Sequence, residues 1–316
     1  KGDSGLRLTR ARAVIIDVLI QNLYDYALEI LAESTDRIKP MCILATGGYG
    51  RGELSPHSDI DLMFLYPQKS MGNSLEFIKE TMTREILYPL WDSGLKVGHA
   101  SRELKEALTE AQKDIRNKNS MLDARFVCGD RKIAKKFISR FIKFCRQNQP
   151  AKYLNELLGH QRERRMEKGD TVFLQAPDVK NGVGGLRDYQ GILWMTKVKF
   201  TGEGLESLVS NKYLDEHESN SFEEAYSFLL RVRNELHFRS KRPVDILHLE
   251  KQPDVALGLG YTEEDIFRRV ESFMGDYYSK ARTINQLSSI LEERLVHSNA
   301  GSTTSLSLSK VLKAYR

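Results

Sequence analysis

No stretch of this 316-residue chain comes near the ~18–20 consecutive apolar residues that a membrane-spanning helix needs. Its first residues, Lys1–Arg12, are charged and lack the apolar run and small-residue cleavage site of a secretory signal. Cysteine is scarce: Cys42, Cys128 and Cys145 are scattered, forming neither metal-type pairs nor an even disulfide framework. A reduced, cytoplasmic setting is therefore expected. Charge of one sign is also in short supply, because 48 Lys and Arg against 43 Asp and Glu leave only +5. That excess suits an anionic nucleotide or an acidic partner but falls short of the basic stripe of a dedicated nucleic-acid binder. No basic-aromatic platform for single strands is visible either, so a nucleic-acid partner is not expected. Basic runs such as Arg131-Lys132 and Arg164-Arg165 read as solvated helix faces. Internal repeats are absent. What remains, 41% hydrophobic and 29% charged residues, is the composition of a globular protein long enough for two domains.

Hydrophobic periodicity divides the chain into a short α/β part and a long helical part. Residues 10–34 read as an amphipathic helix carrying Val14, Val18, Leu23 or Tyr24, Ala27 and Leu31 on one face. Met41–Ala45 and Ile60–Leu65 are short apolar runs of strand type, joined by a Gly-rich turn with a helical segment near Arg51. A helix over 72–91 and a strand over Lys96–Ala100 follow. Beyond 102 the periodicity is helical, at 103–112, 117–128, 131–147, 151–167, 188–200, 215–240 and 263–295. The fold class expected is α+β, a small mixed sheet followed by a mostly helical domain. The divisions are an N-terminal helix (1–35), an α/β domain (36–115), a helical domain (116–295) and a mobile tail or linker (296–316). Within the helical domain, the Gly-rich segment 168–187 is too long for a plain connection, and loops of that length are usually functional or disordered.

The chemistry concentrates in residues 47–62, Gly-Gly-Tyr-Gly-Arg-Gly-Glu-Leu-Ser-Pro-His-Ser-Asp-Ile-Asp-Leu. Strand side chains alternate, so Asp59 and Asp61 share one face while Ile60, Leu62 and Phe64 take the other. Two adjacent carboxylates repel one another and raise each other's pKa. A divalent cation relieves that repulsion, and hard oxygen ligands at this spacing suit Mg²⁺ completed by substrate phosphates, with two metals allowed. Gly47 and Gly48 let backbone N–H groups approach phosphate oxygens, Arg51 is placed to neutralise a leaving pyrophosphate, and Ser58 offers a hydroxyl beside the metal. Asp-x-Asp or Gly-Gly alone is an ordinary strand end or turn. Their conjunction between two strands points to attack on the α-phosphorus of a nucleoside triphosphate.

This segment resembles the DNA-polymerase-β-like nucleotidyltransferase superfamily. With Tyr49 and Arg51-Gly52-Glu53-Leu54 it is similar to the bacterial PII uridylyltransferase (uridylyl-removing) family. The similarity continues through Leu90–His99 and through Pro177–Asp188, spanning residues ~5–295, with Asp178 standing where the family usually has Asn. The resemblance implies that Asp59 and Asp61 bind metal and that Gly47, Gly48 and Ser58 face the triphosphate. It further implies transfer of UMP from UTP to a tyrosine of the PII nitrogen-signalling protein, with release of pyrophosphate. Nothing in the residues themselves selects uracil or names the acceptor.

The strand at 96–100 offers Gly98 and His99 where many superfamily members carry a third acid. Asp114, at a recurrent acidic position of the family, is the candidate third carboxylate, with a charge at a helix N-terminus as the alternative. His99 is a candidate proton acceptor, with a buried or hydrogen-bonded histidine as its alternative reading. Lys180 and Arg187 are expected near phosphates in a wall of the nucleotide cleft, and Asp188 as a helix N-cap. Arg231, Asn234 and His237 share a helical face read as cleft support. Adenylyl transfer and a catalytically decayed regulatory module remain as alternative functions. Full-length family members continue into hydrolase and sensing domains. No His-Asp dyad of that hydrolase is visible, so the chain reads as a piece of a longer protein without de-uridylylation or glutamine sensing.

Overall fold

The computed structural model describes residues 4–34, 41–66, 73–202 and 204–297. A 30-residue helix, α1 (Gly5–Ser34), precedes β1 (Cys42–Ala45), the single helical turn α2 (Gly47–Gly50) and β2 (Ile60–Tyr66). Helix α3 (Asn73–Met82) runs through a π-helical turn, Thr83–Leu87, into α4 (Tyr88–Asp92). Then come β3 (Val97–Glu103), α5 (Leu104–Lys113), α6 (Ile115–Leu122) and β4 (Arg125–Gly129). The helical remainder comprises α7 (Arg131–Gln147), α8 (Pro150–Glu167), α9 (Leu186–Lys199), α10 (Gly204–Ser210), α11 (Glu216–Ser240), α12 (Gln252–Leu259) and α13 (Ile266–His297).

The sheet has the order β3-β2-β1-β4 and is mixed. β1 runs antiparallel to β2 and β4, while β2 and β3 are parallel and in continuous register from Ile60↔Val97 to Tyr66↔Glu103. Alternation along the strands sends Ile43, Ala45, Ile60, Leu62 and Phe64 against α1 and the α3–α4 segment. It sends Cys42, Leu44, Met63 and Leu65 into a second core shared with α5 to α9, α11 and α13. The sheet is thus covered on both faces, and one face is continuous with the helical part.

Several expectations are corrected. Residues 117–128 are not one helix: α6 stops at Leu122, and Arg125–Gly129 is a fourth strand beside β1, beyond the boundary drawn at 115. Five residues containing Phe126, Val127 and Cys128 fit a strand or a helical face equally well, and pairing with β1 decides between them. Helix α1 buries Ala13, Ile16, Ile20, Tyr24, Ala27 and Leu31, whereas Val14 and Val18 are 58% and 51% exposed. Two apolar stripes run along that helix, and packing on the sheet selects one. Helices α10 and α12 were not anticipated, and β3 extends three residues past Ala100. Val296 and His297 belong to α13, while the rest of the expected tail, 298–316, lies outside the described residues. All three cysteines are buried and unpaired.

Candidate active site

Asp61 is the second residue of β2, and its backbone is fixed on both sides. Thr46 N–H donates to Asp61 C=O (3.0 Å), and the preceding Ile60 N–H donates to Lys96 C=O (2.8 Å). Its side chain lies between two glycines. A Cβ at Gly98, its partner on β3, would come within 2.8 Å of one carboxylate oxygen, and a Cβ at Gly47 within 3.2 Å of the other. Gly47 also has φ of +55°, a conformation that side chains with a Cβ resist. The position opposite Asp61 therefore has no room for a third acid: Gly98 is what lets the carboxylate fit. Asp59 lies exposed at the mouth of the same cleft. Burial, and then the neighbouring Asp59, push the Asp61 pKa up, while Lys180 and Arg187 pull it back.

The opposite wall comes from segment 168–187, α9 and α11. Asp178 folds the loop by accepting from Lys180 N–H (3.1 Å) and Asn181 N–H (2.8 Å). An Asn oxygen accepts the same bonds, so the departure at 178 preserves the turn, and the carboxylate adds an ion pair with Lys168 at 3.0 Å. Asp178 also bridges to Ile246, and Val179 N–H donates to Asp245 C=O at 2.8 Å. Lys180 and Arg187 line the cleft. Burial, and then the nearby Arg51, push the Arg187 guanidinium down to about 10. Among the described residues Arg187 has no ion pair: it donates to Gln190 (3.1 Å) and lies 5.6 Å from the centroid of the Trp194 ring. Burial, and then Arg233, likewise lower the Lys180 pKa, and its nearest carboxylate, Asp245, is 3.7 Å away.

Arg51 lines the same cleft but is already paired. It bonds Glu53 at 2.6 Å and also Asp123, and it is almost wholly buried. Burial opposes its charge, but the two carboxylates outweigh that and hold its pKa above the ordinary value. Asp123 accepts further from Trp194 Nε1 (2.9 Å) and Lys197 (3.3 Å), and Glu53 from the Tyr226 hydroxyl (2.7 Å), which in turn accepts from Gln190 (2.9 Å). The guanidinium that the motif supplied is consumed in a network joining the cassette to α9 and α11. Arg187 stands over the same tryptophan without an ion pair among the described residues.

The segment leading to Asp59 hangs on α11. Arg233 donates to Ser55 Oγ (3.0 Å), Ser58 Oγ (3.1 Å) and Asp245 (2.7 Å). His57 N–H donates to His237 Nδ1 (3.3 Å), which leaves Nε2–H facing Asp245 at 3.3 Å. Of the face Arg231, Asn234 and His237, only His237 reaches the cleft segment. Arg231 donates to Leu259 C=O, and Asn234 turns toward Gly5 on α1. Asp245 lines the cleft, but desolvation aside, His237, Arg233 and Lys180 hold its pKa below the usual carboxylate range, which makes it a poor proton acceptor.

Two other candidates fall elsewhere. Asp114 is exposed and caps α6 by accepting from Arg116 N–H at 2.7 Å; it is not among the cleft-lining residues. His99 is in register with Leu62, on the face opposite Asp61, exposed and 5.8 Å from the Trp91 ring. Asp188 is not an N-cap: Gly185 takes that position, and the wholly buried Asp188 binds Arg164, Arg165 and Gly184 N–H. Glu53, Asp123, Gln190, Arg233 and Asp245 were not anticipated. The i, i+4 spacing of Arg233 and His237 was the available signal for α11; the others depend on long-range contact.

Among the described residues no group of three or more His, Cys, Asp or Glu side chains is placed for a metal ion. The Asp59–Asp61 pair fits Mg²⁺ in a different way. It supplies hard oxygen donors, makes no ion pair within 4.0 Å among the described residues, and leaves other positions for phosphate oxygens and water. Lys180 and Arg187 line the same cleft as the pair.

The comparisons with known proteins point to nucleotidyl-transfer families. Residues 152–292 match the GlnD PII-uridylyltransferase family, and residues 4–84 match glutamate-ammonia ligase adenylyltransferase. The chain is 36% identical over 296 residues to the bifunctional uridylyltransferase/uridylyl-removing enzyme of Bradyrhizobium sp. (strain ORS 278), covering 93% of this chain and 31% of that protein. The corresponding enzyme of Phenylobacterium zucineum is 33% identical over 296 residues, with the same coverages. That of Rhodospirillum rubrum is 34% identical over 278 residues, or 87% and 29% of the two chains. By these matches the chain is similar to the PII-uridylyltransferase family over most of its length, and it spans about a third of the length of the curated relatives it matches.

Proposed function

We propose that this chain carries a nucleotidyl-transfer centre that moves UMP from UTP to a tyrosine hydroxyl of a PII-type signalling protein and releases pyrophosphate. One observation carries the reading: Asp61, half-buried beside Asp59 without an ion pair among the described residues, shares one cleft with Lys180 and Arg187, whose charges act on it. Asp59 and Asp61 would hold Mg²⁺, which would cancel their repulsion and withdraw charge from the reacting phosphate. The rigid placement of Asp61 between Gly47 and Gly98 orients that carboxylate before substrate arrives. Backbone N–H groups at Gly47 and Gly48, opening a helical turn, and the Ser58 hydroxyl face the triphosphate. Lys180 and Arg187 stabilise the charge that builds on the departing pyrophosphate. The tyrosine oxygen bonds to the α-phosphorus as the bond to the α,β-bridging oxygen breaks, and the phenolic proton is lost to water.

A second reading, adenylyl transfer, is supported by the match of residues 4–84, which include the carboxylate cassette, to an adenylyltransferase. Calorimetric titration of the four nucleoside triphosphates with Mg²⁺, on wild type and on Asp59→Ala/Asp61→Ala, separates the readings. Preference for UTP that collapses in the double variant supports uridylyl transfer, and transfer to PII with pyrophosphate release completes the case. Preference for ATP favours the second reading. Equal binding by both proteins sinks the carboxylate–metal site and favours a decayed nucleotide-binding module.

A further inference from the structure

Strand β3 is an edge of the sheet, and no described strand pairs with its outer side. Lys96 C=O accepts from Ile60 N–H, so the alternation of parallel pairing turns the backbone groups of Val97, His99, Ser101 and Glu103 away from β2. Both ends of this outer row are closed. Val97 C=O accepts the Trp91 indole N–H (3.2 Å), and Glu103 N–H donates to the Glu106 side chain (3.3 Å). Between them, the outward N–H and C=O groups of His99 and Ser101 have no partner among the described residues. Neither proline nor a bulge interrupts β3, although such devices commonly guard an exposed edge.

This open edge adjoins the cleft. Gly98 is exposed and in register with Asp61, and Lys96, on the same face of β3, lines the cleft. A strand added to β3 would lie two strand spacings, ~9.5 Å, from β2. A tyrosine on that strand, facing the Asp61 side, could cross β3 over Gly98, where no β3 side chain intervenes. Its hydroxyl would then approach the carboxylate pair.

We infer that the open edge of β3 receives an extended segment of the acceptor protein as an added strand, with the acceptor tyrosine lying over Gly98. Main-chain bonds to His99 and Ser101 supply the attachment and Gly98 supplies the passage. The inference rests on the transfer reading and adds to it where the acceptor docks.

Amide hydrogen exchange at His99 and Ser101 tests it, on protein saturated with Mg²⁺ and α,β-methylene-UTP, with and without a PII protein. Both amides should slow at least tenfold when PII binds. Unchanged rates with PII bound overturn the inference. So does protection without PII in a protein that sediments as a dimer, because the edge then serves a second copy. Ser101→Pro removes one outward N–H while leaving the β2 pairing intact. It should leave UTP affinity unchanged and raise KM for PII at least tenfold, whereas Ser101→Ala changes neither; an unchanged KM in the proline variant overturns the inference. Wild-type protein that binds no UTP overturns the transfer reading itself, and the acceptor role of the edge with it.

Discussion

On one side of the cleft, Asp59 immediately precedes β2 and Asp61 is its second residue; on the other, Lys180 and Arg187 arrive from a distant loop and helix. The first pair is placed by local geometry: a strand sends alternate residues to one face, and two glycines leave the space. The second is placed by relayed contacts, from Asp178 and Asp245 under the loop to Gln190, Tyr226 and Glu53 beside Arg187. Both walls contain an arginine, and burial treats the two differently. Arg51 pairs with two carboxylates and becomes part of the scaffold, while Arg187 has no ion pair among the described residues. A charged residue inside a motif is therefore not by itself a ligand contact; its partners decide.

The comparison can be broken most severely at the carboxylates. Asp61→Asn should lower the rate of transfer by ~10³-fold or more, about 4 kcal/mol of transition-state stabilisation. The same variant should raise the melting temperature in the absence of Mg²⁺ at neutral pH. A carboxyl whose folded pKa is raised stabilises the fold below its ordinary pKa, and that contribution is lost as pH rises through the folded value. An inactive variant that also melts earlier would mean that Asp61 holds the fold together rather than serving a ligand.

Arg51→Met tests the scaffold assignment. It leaves Glu53 and Asp123 short of a cation in a buried network, so chemical denaturation should show a loss of about 3–5 kcal/mol. Unchanged stability with weakened UTP binding would return Arg51 to the role its motif suggests. Arg187→Met should do the converse, weakening UTP binding by ~10-fold, or ~1.4 kcal/mol, with stability unchanged or slightly improved. Calorimetry and a melt on the same preparation decide it.

The smallest effect concerns His237, where α11 meets the segment leading to Asp59. Burial keeps the His237 pKa below its ordinary 6.5 despite Asp245, so the folded state favours the neutral ring. Its stabilising contribution is present above pH ~6.5 and is lost as pH falls from there through the folded pKa. His237→Gln should flatten the stability–pH curve over that interval. An unaltered slope would show that the ring does not titrate with unfolding.

Much of the site was legible because it is local. The strand–Gly-Gly–Ser-Asp-x-Asp pattern placed Asp59 and Asp61 side by side, and the Gly-rich loop announced a cleft wall with Lys180 and Arg187. The misreadings share a cause. Val14 and Val18 sit on a stripe as apolar as the buried one, and Arg125–Gly129 fits two periodicities. Asp114 is an acid of the expected type whose side chain instead closes the first turn of α6.

By itself, the sequence determined which residues can carry the chemistry and which of them share a strand face, since both follow from side-chain type and a two-residue period. It also determined the mixed α and β character of the chain and the presence of a Gly-Gly and Ser-Asp-x-Asp cassette. Only the tertiary structure decided the fourth strand, the buried stripe of α1 and the division of labour between Arg51 and Arg187. The physical reason is the same in each case. Strand pairing, helix docking and the field at a buried charge all depend on which distant groups come close, and no local period encodes that.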